Sequence, residues 1–264
     1  MEKEVQTDIT KNIENIENIE TQHTEPTQLE VVQNDALTIK EIETGLVYNG
    51  SMVRVADISE EFRKVIEPIL RMYNAAMNVT TARIEIIKDE SRYKNVRCPV
   101  HHIDTRLKSA GSILGKLQKK NLDLTIGAAC NNIYDIAGVR IVCPYIKDVY
   151  FIRDRILAQD DIEVMKVKDY IEHPKENGYR SYHLIIRVPV FFMNKKQMVP
   201  VEIQIRTMAM DLWASLEHDI SYKAINSKGE YQGDYSEFRE ELTECSRLIY
   251  EAEEKMERMN SMLE

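Results

Sequence analysis

The hexapeptide Val201-Glu202-Ile203-Gln204-Ile205-Arg206 constrains the fold more tightly than any other stretch of the chain. Strict alternation makes it a β-strand, with Val201, Ile203 and Ile205 on one face and Glu202, Gln204 and Arg206 on the other. The apolar face has to be core. The opposite face aligns a carboxylate, an amide and a guanidinium, which is costly unless water or a ligand meets them. From the strand alone, a solvated sheet face with a salt-bridged pair and a ligand site are equally good accounts.

Two further β-branched runs, 138–143 and 181–188, supply companion strands. Between and around them the apolar spacing turns helical. Phe62, Ile66, Ile69, Leu70 and Tyr73 form one stripe, and a second helix is expected over 102–120. A third, over 208–224, would bury Ala209, Leu212, Trp213, Leu216 and Ile220. A fourth, over 236–264, carries Phe238, Leu242, Cys245, Ile249, Ala252, Met256, Met259 and Leu263 at three- and four-residue steps. Helices flanking a mixed central sheet make the expected class α/β, or α+β.

Charge divides the chain of 264 residues unevenly. Residues 1–60 carry 4 basic and 13 acidic side chains, which accounts for the whole formal charge of −9 and leaves the body neutral. Residues 1–45 lack aromatic side chains, contain the drifting repeat NIENIENIE, and read as a disordered acidic polar tail. Residues 46–235 are the expected functional domain, and 236–264 a terminal amphipathic helix suited to oligomerisation. The N-terminus has neither a basic nor an apolar region of a secretory signal, and no apolar run could cross a bilayer. Four scattered cysteines without a CxxC argue for reduced thiols, so a cytoplasmic protein is expected.

Several side chains could do chemistry. Asp135 stands at the entrance of the 138–143 strand, and paired with Glu202 it could supply hard oxygen ligands to Mg²⁺; as a lone residue it reads better as a cap. On a helical wheel Lys108, Ser112, Gly115 and Lys119 fall on one face with Lys116 beside them. No acid interrupts residues 106–120. That bias favours a polyphosphate or nucleic acid over a plain solvated face. The turn HPKENGYRSYH leads Tyr179 into a strand among Lys166, Lys168, Lys175 and Arg180, where its ring could lie over a nucleobase or merely pack under a loop. A stacking role would leave the Tyr179 hydroxyl idle.

Each signal is weak alone, but their order is not. TRLKSAGSILGKLQKK, YDIAGVRIVC, KDYIEHPKENGYRSYHLII and VEIQIRTMAMDLWASLEHDISYK follow one another as in the synthetase domain of the RelA/SpoT family. With no hydrolase segment ahead of these motifs, the chain resembles a stand-alone small alarmone synthetase of the RelP/RelQ type. The resemblance spans about residues 60–225. It implies a nucleotidyltransferase-like mixed sheet and transfer of pyrophosphate from ATP to the 3′-hydroxyl of GDP or GTP. Carried over by motif, it implies that Arg106 and Arg140 sandwich adenine while Lys108, Ser112, Lys116 and Lys119 hold the ATP phosphates. Asp135 and Glu202 would bind Mg²⁺, with Glu202 as general base. Tyr179 would stack on guanine, with Lys168 and Lys175 near its phosphates and His183, Gln204 and Asp211 completing the acceptor pocket. Asp211 stands where some relatives place Asn. The resemblance also implies a homo-oligomer, a tetramer, with no membrane or DNA partner; RNA binding stays open. The rival readings are a nucleotidyltransferase of the same fold and an inactive nucleotide- or RNA-binding relative.

Overall fold

The computed structural model describes residues 39–42, 45–48, 51–53, 55–224 and 235–263. The expected tail falls outside the described residues over 1–38. Within its last part Ile39–Ile42 is a strand, β1, which pairs antiparallel with β2 (Gly45–Tyr48), and β2 with β3 (Ser51–Val53).

A long helix, α1 (Val55–Tyr93), follows. It buries Ile66 and Tyr73 of the expected stripe and packs Ile69 and Leu70 against the core. The main sheet has five strands in the order β4-β5-β8-β7-β6: β4 (His102–Leu107), β5 (Ala137–Cys143), β6 (Glu163–Asp169), β7 (Tyr182–Phe192) and β8 (Lys195–Thr207). Only the β5–β8 pair is parallel. Two short helices, α2 (Ala110–Lys119) and α3 (Ile126–Asn132), join β4 to β5, and α4 (Ile146–Leu157) joins β5 to β6. After the sheet come α5 (Met208–Ala224) and α6 (Tyr235–Ser261).

The expected core face of β8 is core: Val201, Ile203 and Ile205 are fully buried. The β7–β8 hairpin runs further than its β-branched runs suggest, because a two-residue turn at Met193 and Asn194 closes it. Both have positive φ, 50° and 63°, the backbone of a type I′ turn whose twist matches the strands.

Three expectations need correction. The helix read over 102–120 is two elements. His102–Leu107 pairs antiparallel with β5, and the helix starts only after Ser109, whose hydroxyl accepts from the Ser112 amide at 3.2 Å. Lys108 therefore sits on the strand-to-helix connection, not on a helix face. The sheet edge offered by β5 outweighed a weak local helical pattern. In α5, Met210 and Trp213 are buried, but Leu212, Leu216 and Ile220 are exposed. Among the described side chains of α6 the buried positions are Ser246 and Glu253, with Leu242, Ile249 and Tyr250 half-buried, while Met256, Met259 and, just past the helix, Leu263 face outward. Glu257 explains part of that orientation. Its carboxylate accepts from the Ile146 and Lys147 amides at 3.2 and 3.1 Å, capping the N-terminus of α4 and turning the polar side of α6 inward. Strand β6 and helices α3 and α4 were not foreseen.

Candidate active site

Register places the polar residues. Cross-strand partners share a face of a sheet. Asp104 on β4 pairs with Arg140 on β5, Arg140 with Gln204 on β8, Gln204 with His183 on β7, and His183 with Lys168 on β6. One row of polar side chains thus crosses all five strands. One step along the strands, Arg106 pairs with Gly138 and Gly138 with Glu202. Of the residues expected at ATP, Arg106 and Arg140 come from β4 and β5; of those expected at GTP, Lys168 and His183 come from β6 and β7; Glu202 and Gln204 stand between them on β8.

Over the β4–β5–β8 half lies a cleft of about 440 Å³ lined by Arg106, Lys108, Asp135, Arg140, Glu202 and Gln204. Asp104 and Thr105 line it too and were not singled out in the sequence. The β4–α2 connection and the loop before β5 are tied together by the Lys108 amide, which donates to the Ile136 carbonyl at 2.8 Å. That contact brings Lys108 Nζ to 3.2 Å and Lys116 Nζ to 2.7 Å from Asp135 Oδ2. Ser112 has its hydroxyl 2.9 Å from Ser109 Oγ at the helix cap, and Lys119 is exposed further along α2; neither lines the cleft.

Both acids are ionised despite their burial. Burial alone would raise the Asp135 carboxyl, but the hydrogen bond and charge of Lys116, then of Lys108, hold it below its ordinary value. For Glu202 burial and the Asp135 charge push upward, and His183 and Gln204 outweigh them. His183 Nδ1 lies 3.6 Å from Glu202 Oε1, and Gln204 Nε2 donates to Glu202 Oε2 at 2.9 Å. Asp135 Oδ1 is buried without a hydrogen-bond partner. Two ionised carboxylates near one cleft, one with an uncommitted oxygen, fit a hard divalent cation such as Mg²⁺.

On the other half, Tyr179 is fixed at both ends. Its hydroxyl accepts from Arg206 Nη2 at 2.6 Å and lies 2.8 Å from His183 Nε2, so it is not idle. Lys175 Nζ sits 4.6 Å from the ring centroid. Arg206 is the hub that the sequence did not identify. It also donates to Gln204 Oε1 at 3.0 Å and to Asp211 Oδ1 at 3.2 Å. Asp211 Oδ1 is held as well by Arg140 Nη1 at 3.3 Å, so this carboxylate links the two halves. Tyr170 was missed too. Its ring packs edge-on against both Tyr179 and His183, with Lys168 Nζ 5.6 Å and Lys175 Nζ 4.8 Å from its centroid. The only signal for it was its place two residues after Lys168 in KDYIEH.

The arrangement offers cations and carboxylates for a polyphosphate beside an aromatic seat for a base. Comparison with known proteins agrees. Residues 105–227 match the model of the region found in RelA / SpoT proteins. GTP pyrophosphokinase YwaC of Bacillus subtilis is 41% identical over 187 residues, covering 71% of this chain and 86% of that protein. GTP pyrophosphokinase YjbM of the same organism is 35% identical, covering 60% and 73%. Small alarmone synthetase 1 from B. subtilis, bound to its product pppGpp, superposes with a TM-score of 0.65 at 30% identity, covering 76% of this chain and 98% of that one. Small alarmone synthetase 2 gives 0.63 at 40% identity, covering 73% and 97%. The chain belongs to the RelA/SpoT family, on its small alarmone synthetase branch.

Proposed function

We propose that this protein is a GTP pyrophosphokinase that transfers the β,γ-diphosphate of ATP to the 3′-hydroxyl of GDP or GTP, releasing AMP and forming ppGpp or pppGpp. The observation that carries this function is the polar row across the sheet, with a cleft lined by Arg106, Lys108 and Arg140 beside the carboxylates on one side and the Tyr179 seat on the other. Two nucleotides bound there would meet at β8. The names of the similar proteins, and similar structures bound to pppGpp and to AMPCPP, support the same substrates.

In this mechanism Arg106 and Arg140 hold the adenine, and Lys108, Lys116, Ser112 and Lys119 receive the ATP phosphates. Tyr179 stacks on guanine, Lys168 and Lys175 meet its phosphates, and His183, Gln204 and Asp211 complete the acceptor pocket. The 3′-hydroxyl attacks the β-phosphorus in line as AMP leaves. Glu202, ionised and oriented by Gln204 and His183, accepts the hydroxyl proton. Asp135 and Glu202 would hold Mg²⁺, which when bound neutralises charge on the phosphates. Positioning and neutralisation supply most of the rate.

The exposed apolar rows Leu212, Leu216, Ile220 and Met256, Met259 fit a homo-oligomer, a tetramer by family resemblance. Among the described residues no helix is long and apolar enough to cross a membrane, in keeping with a cytoplasmic enzyme. Incubation with ATP, GTP and Mg²⁺, with products identified by mass, tests the activity. AMP and a guanosine carrying a 3′-diphosphate are expected; free pyrophosphate as the product would overturn it in favour of nucleotidyl transfer.

A further inference from the structure

We propose that Ser246 on α6 is a positioning residue for the acceptor nucleotide, its hydroxyl fixing the Gly178 carbonyl and with it the backbone that presents Tyr179. The inference rests on the assignment of Tyr179 to guanine. Within the loop between β6 and β7, Gly178 N donates to the Lys175 carbonyl at 2.8 Å and Lys175 N to the Tyr179 carbonyl at 3.1 Å. The Tyr179 amide donates to Asn177 Oδ1 at 3.2 Å and Arg180 Nη1 to the Ile171 carbonyl at 2.6 Å, but none of these bonds uses the Gly178 carbonyl. Residues 172–176 are exposed.

What braces the loop from outside is one stripe of α6. Arg239, Thr243, Ser246 and Tyr250 stand at i, i+4, i+7 and i+11, a single helix face. They meet the loop in order along its length. Arg239 pairs with the Glu176 carboxylate. Thr243 Oγ1 lies 3.1 Å from the Glu176 carbonyl and shares its proton between that oxygen and the Arg239 carbonyl of its own helix at 2.9 Å, while Ser246 Oγ donates to the Gly178 carbonyl at 2.5 Å. The Arg180 guanidinium lies 4.0 Å from the centroid of the Tyr250 ring. Two chain segments matched residue by residue over four points specify a loop conformation, which burial of apolar surface alone would not do.

Gly178 shows how close the approach is. Its φ is +87°, and a Cβ there would stand 2.6 Å from Ser246 Cβ and 3.2 Å from Thr243 Cα. No side chain fits between loop and helix, so the Ser246 hydroxyl reaches the carbonyl directly. Ser246 is 6% exposed, and without its hydroxyl a buried carbonyl next to Tyr179 loses its donor. The Tyr179 ring also meets α5 edge-on at Trp213, 6.4 Å between centroids, and Trp213 Nε1 donates to the Leu242 carbonyl at 3.1 Å. The helix therefore reaches the ring by a second route. All four contacts of this stripe fall on the β6–β7 loop that leads into Tyr179, so the effect should fall on the acceptor.

The test is steady-state kinetics of the full chain with each nucleotide varied while the other is saturating, together with melting temperatures. Ser246→Ala should raise the KM for GTP about fivefold or more, with the KM for ATP and kcat within about twofold. Thr243 is exposed, so substitutions there keep the fold. Thr243→Val should raise the GTP KM by about two- to threefold, and Thr243→Ser, which keeps the hydroxyl, should not. An unchanged GTP KM in Ser246→Ala, or equal rises for both nucleotides with a lowered melting temperature, would overturn the proposal. If Ser246→Ala does not fold, Thr243→Val matching Thr243→Ser overturns it. Wild-type protein that makes no 3′-diphosphate would instead remove the function on which it rests.

Discussion

Tyr179 Oη lies 2.8 Å from His183 Nε2, so the ring assigned to guanine is hydrogen-bonded to the histidine that faces the Glu202 carboxylate. Because Arg206 Nη2 also donates to that hydroxyl, at 2.6 Å, substrate stacking and the state of the strand β8 face are physically joined. A tyrosine serving only as a flat platform would need no such partners.

The first expectation concerns that ring. Tyr179→Ala should weaken GTP or GDP by roughly five- to 150-fold, the equivalent of about 1–3 kcal/mol of base–aromatic stacking, with ATP affinity little changed. Tyr179→Phe keeps the ring but strands Arg206 and His183, so it should cost about 0.5–1.5 kcal/mol, roughly two- to twelvefold. Nucleotide titrations of both variants decide the matter. Equal weakening of ATP and GTP would mean that the wrong base has been placed on this ring.

Removing either acid should stop synthesis. Asp135→Asn and Glu202→Gln each delete a negative charge at the cleft while keeping shape, and neither side chain belongs to the hydrophobic core. Turnover should fall by about 10²-fold or more with little change in melting temperature. Near-normal rates in either variant contradict the assignment.

A third expectation concerns acidity. Glu253 on α6 is buried, and neither carboxylate oxygen has a hydrogen-bond partner. Burial pushes its pKa up to about 7, with the Glu257 charge adding and the Arg180 charge opposing. The folded chain therefore keeps a proton that the unfolded chain, titrating near 4.5, has released. This contribution is fully present below pH of about 4.5 and is lost as pH rises to about 7. Thermal melts should show Glu253→Gln matching the wild type near pH of about 5 and melting higher at about pH 8. A gap that does not vary with pH would argue against a protonated Glu253.

Assembly is the fourth. Leu212, Leu216 and Ile220 repeat every four residues along α5, each 43–55% exposed, an apolar row that a lone subunit leaves in water. Light scattering should give a multiple of the chain mass, four by family resemblance, and Leu216→Glu should shift it to smaller species. A wild-type monomer at micromolar concentration would refute the oligomer.

Much of the fold was legible in local pattern. The alternation of 201–206 fixed which side of β8 is core, and the spacing from Ile66 to Tyr73 located the first long helix, because period alone tells strand from helix where the apolar residues recur cleanly. The acids, the cations and Tyr179 were also visible as residue types in order. Their roles came from a family resemblance, since spacing could not supply them.

Tertiary structure decided the rest. Periodicity states which side of a helix is apolar, but not which side will be covered. Leu212, Leu216 and Ile220 look like core until Met210 and Trp213 prove to be the buried pair, and α6 turns Ser246 and Glu257 toward the body because the Gly178 carbonyl and the α4 N-terminus wait there for polar partners. His102–Leu107 became a strand because β5 had an open edge. The row from Asp104 through Arg140, Gln204 and His183 to Lys168 exists only through register. Sequence sets which side chains can do the chemistry, whereas hydrogen bonding between strands distant in the chain sets which of them stand side by side.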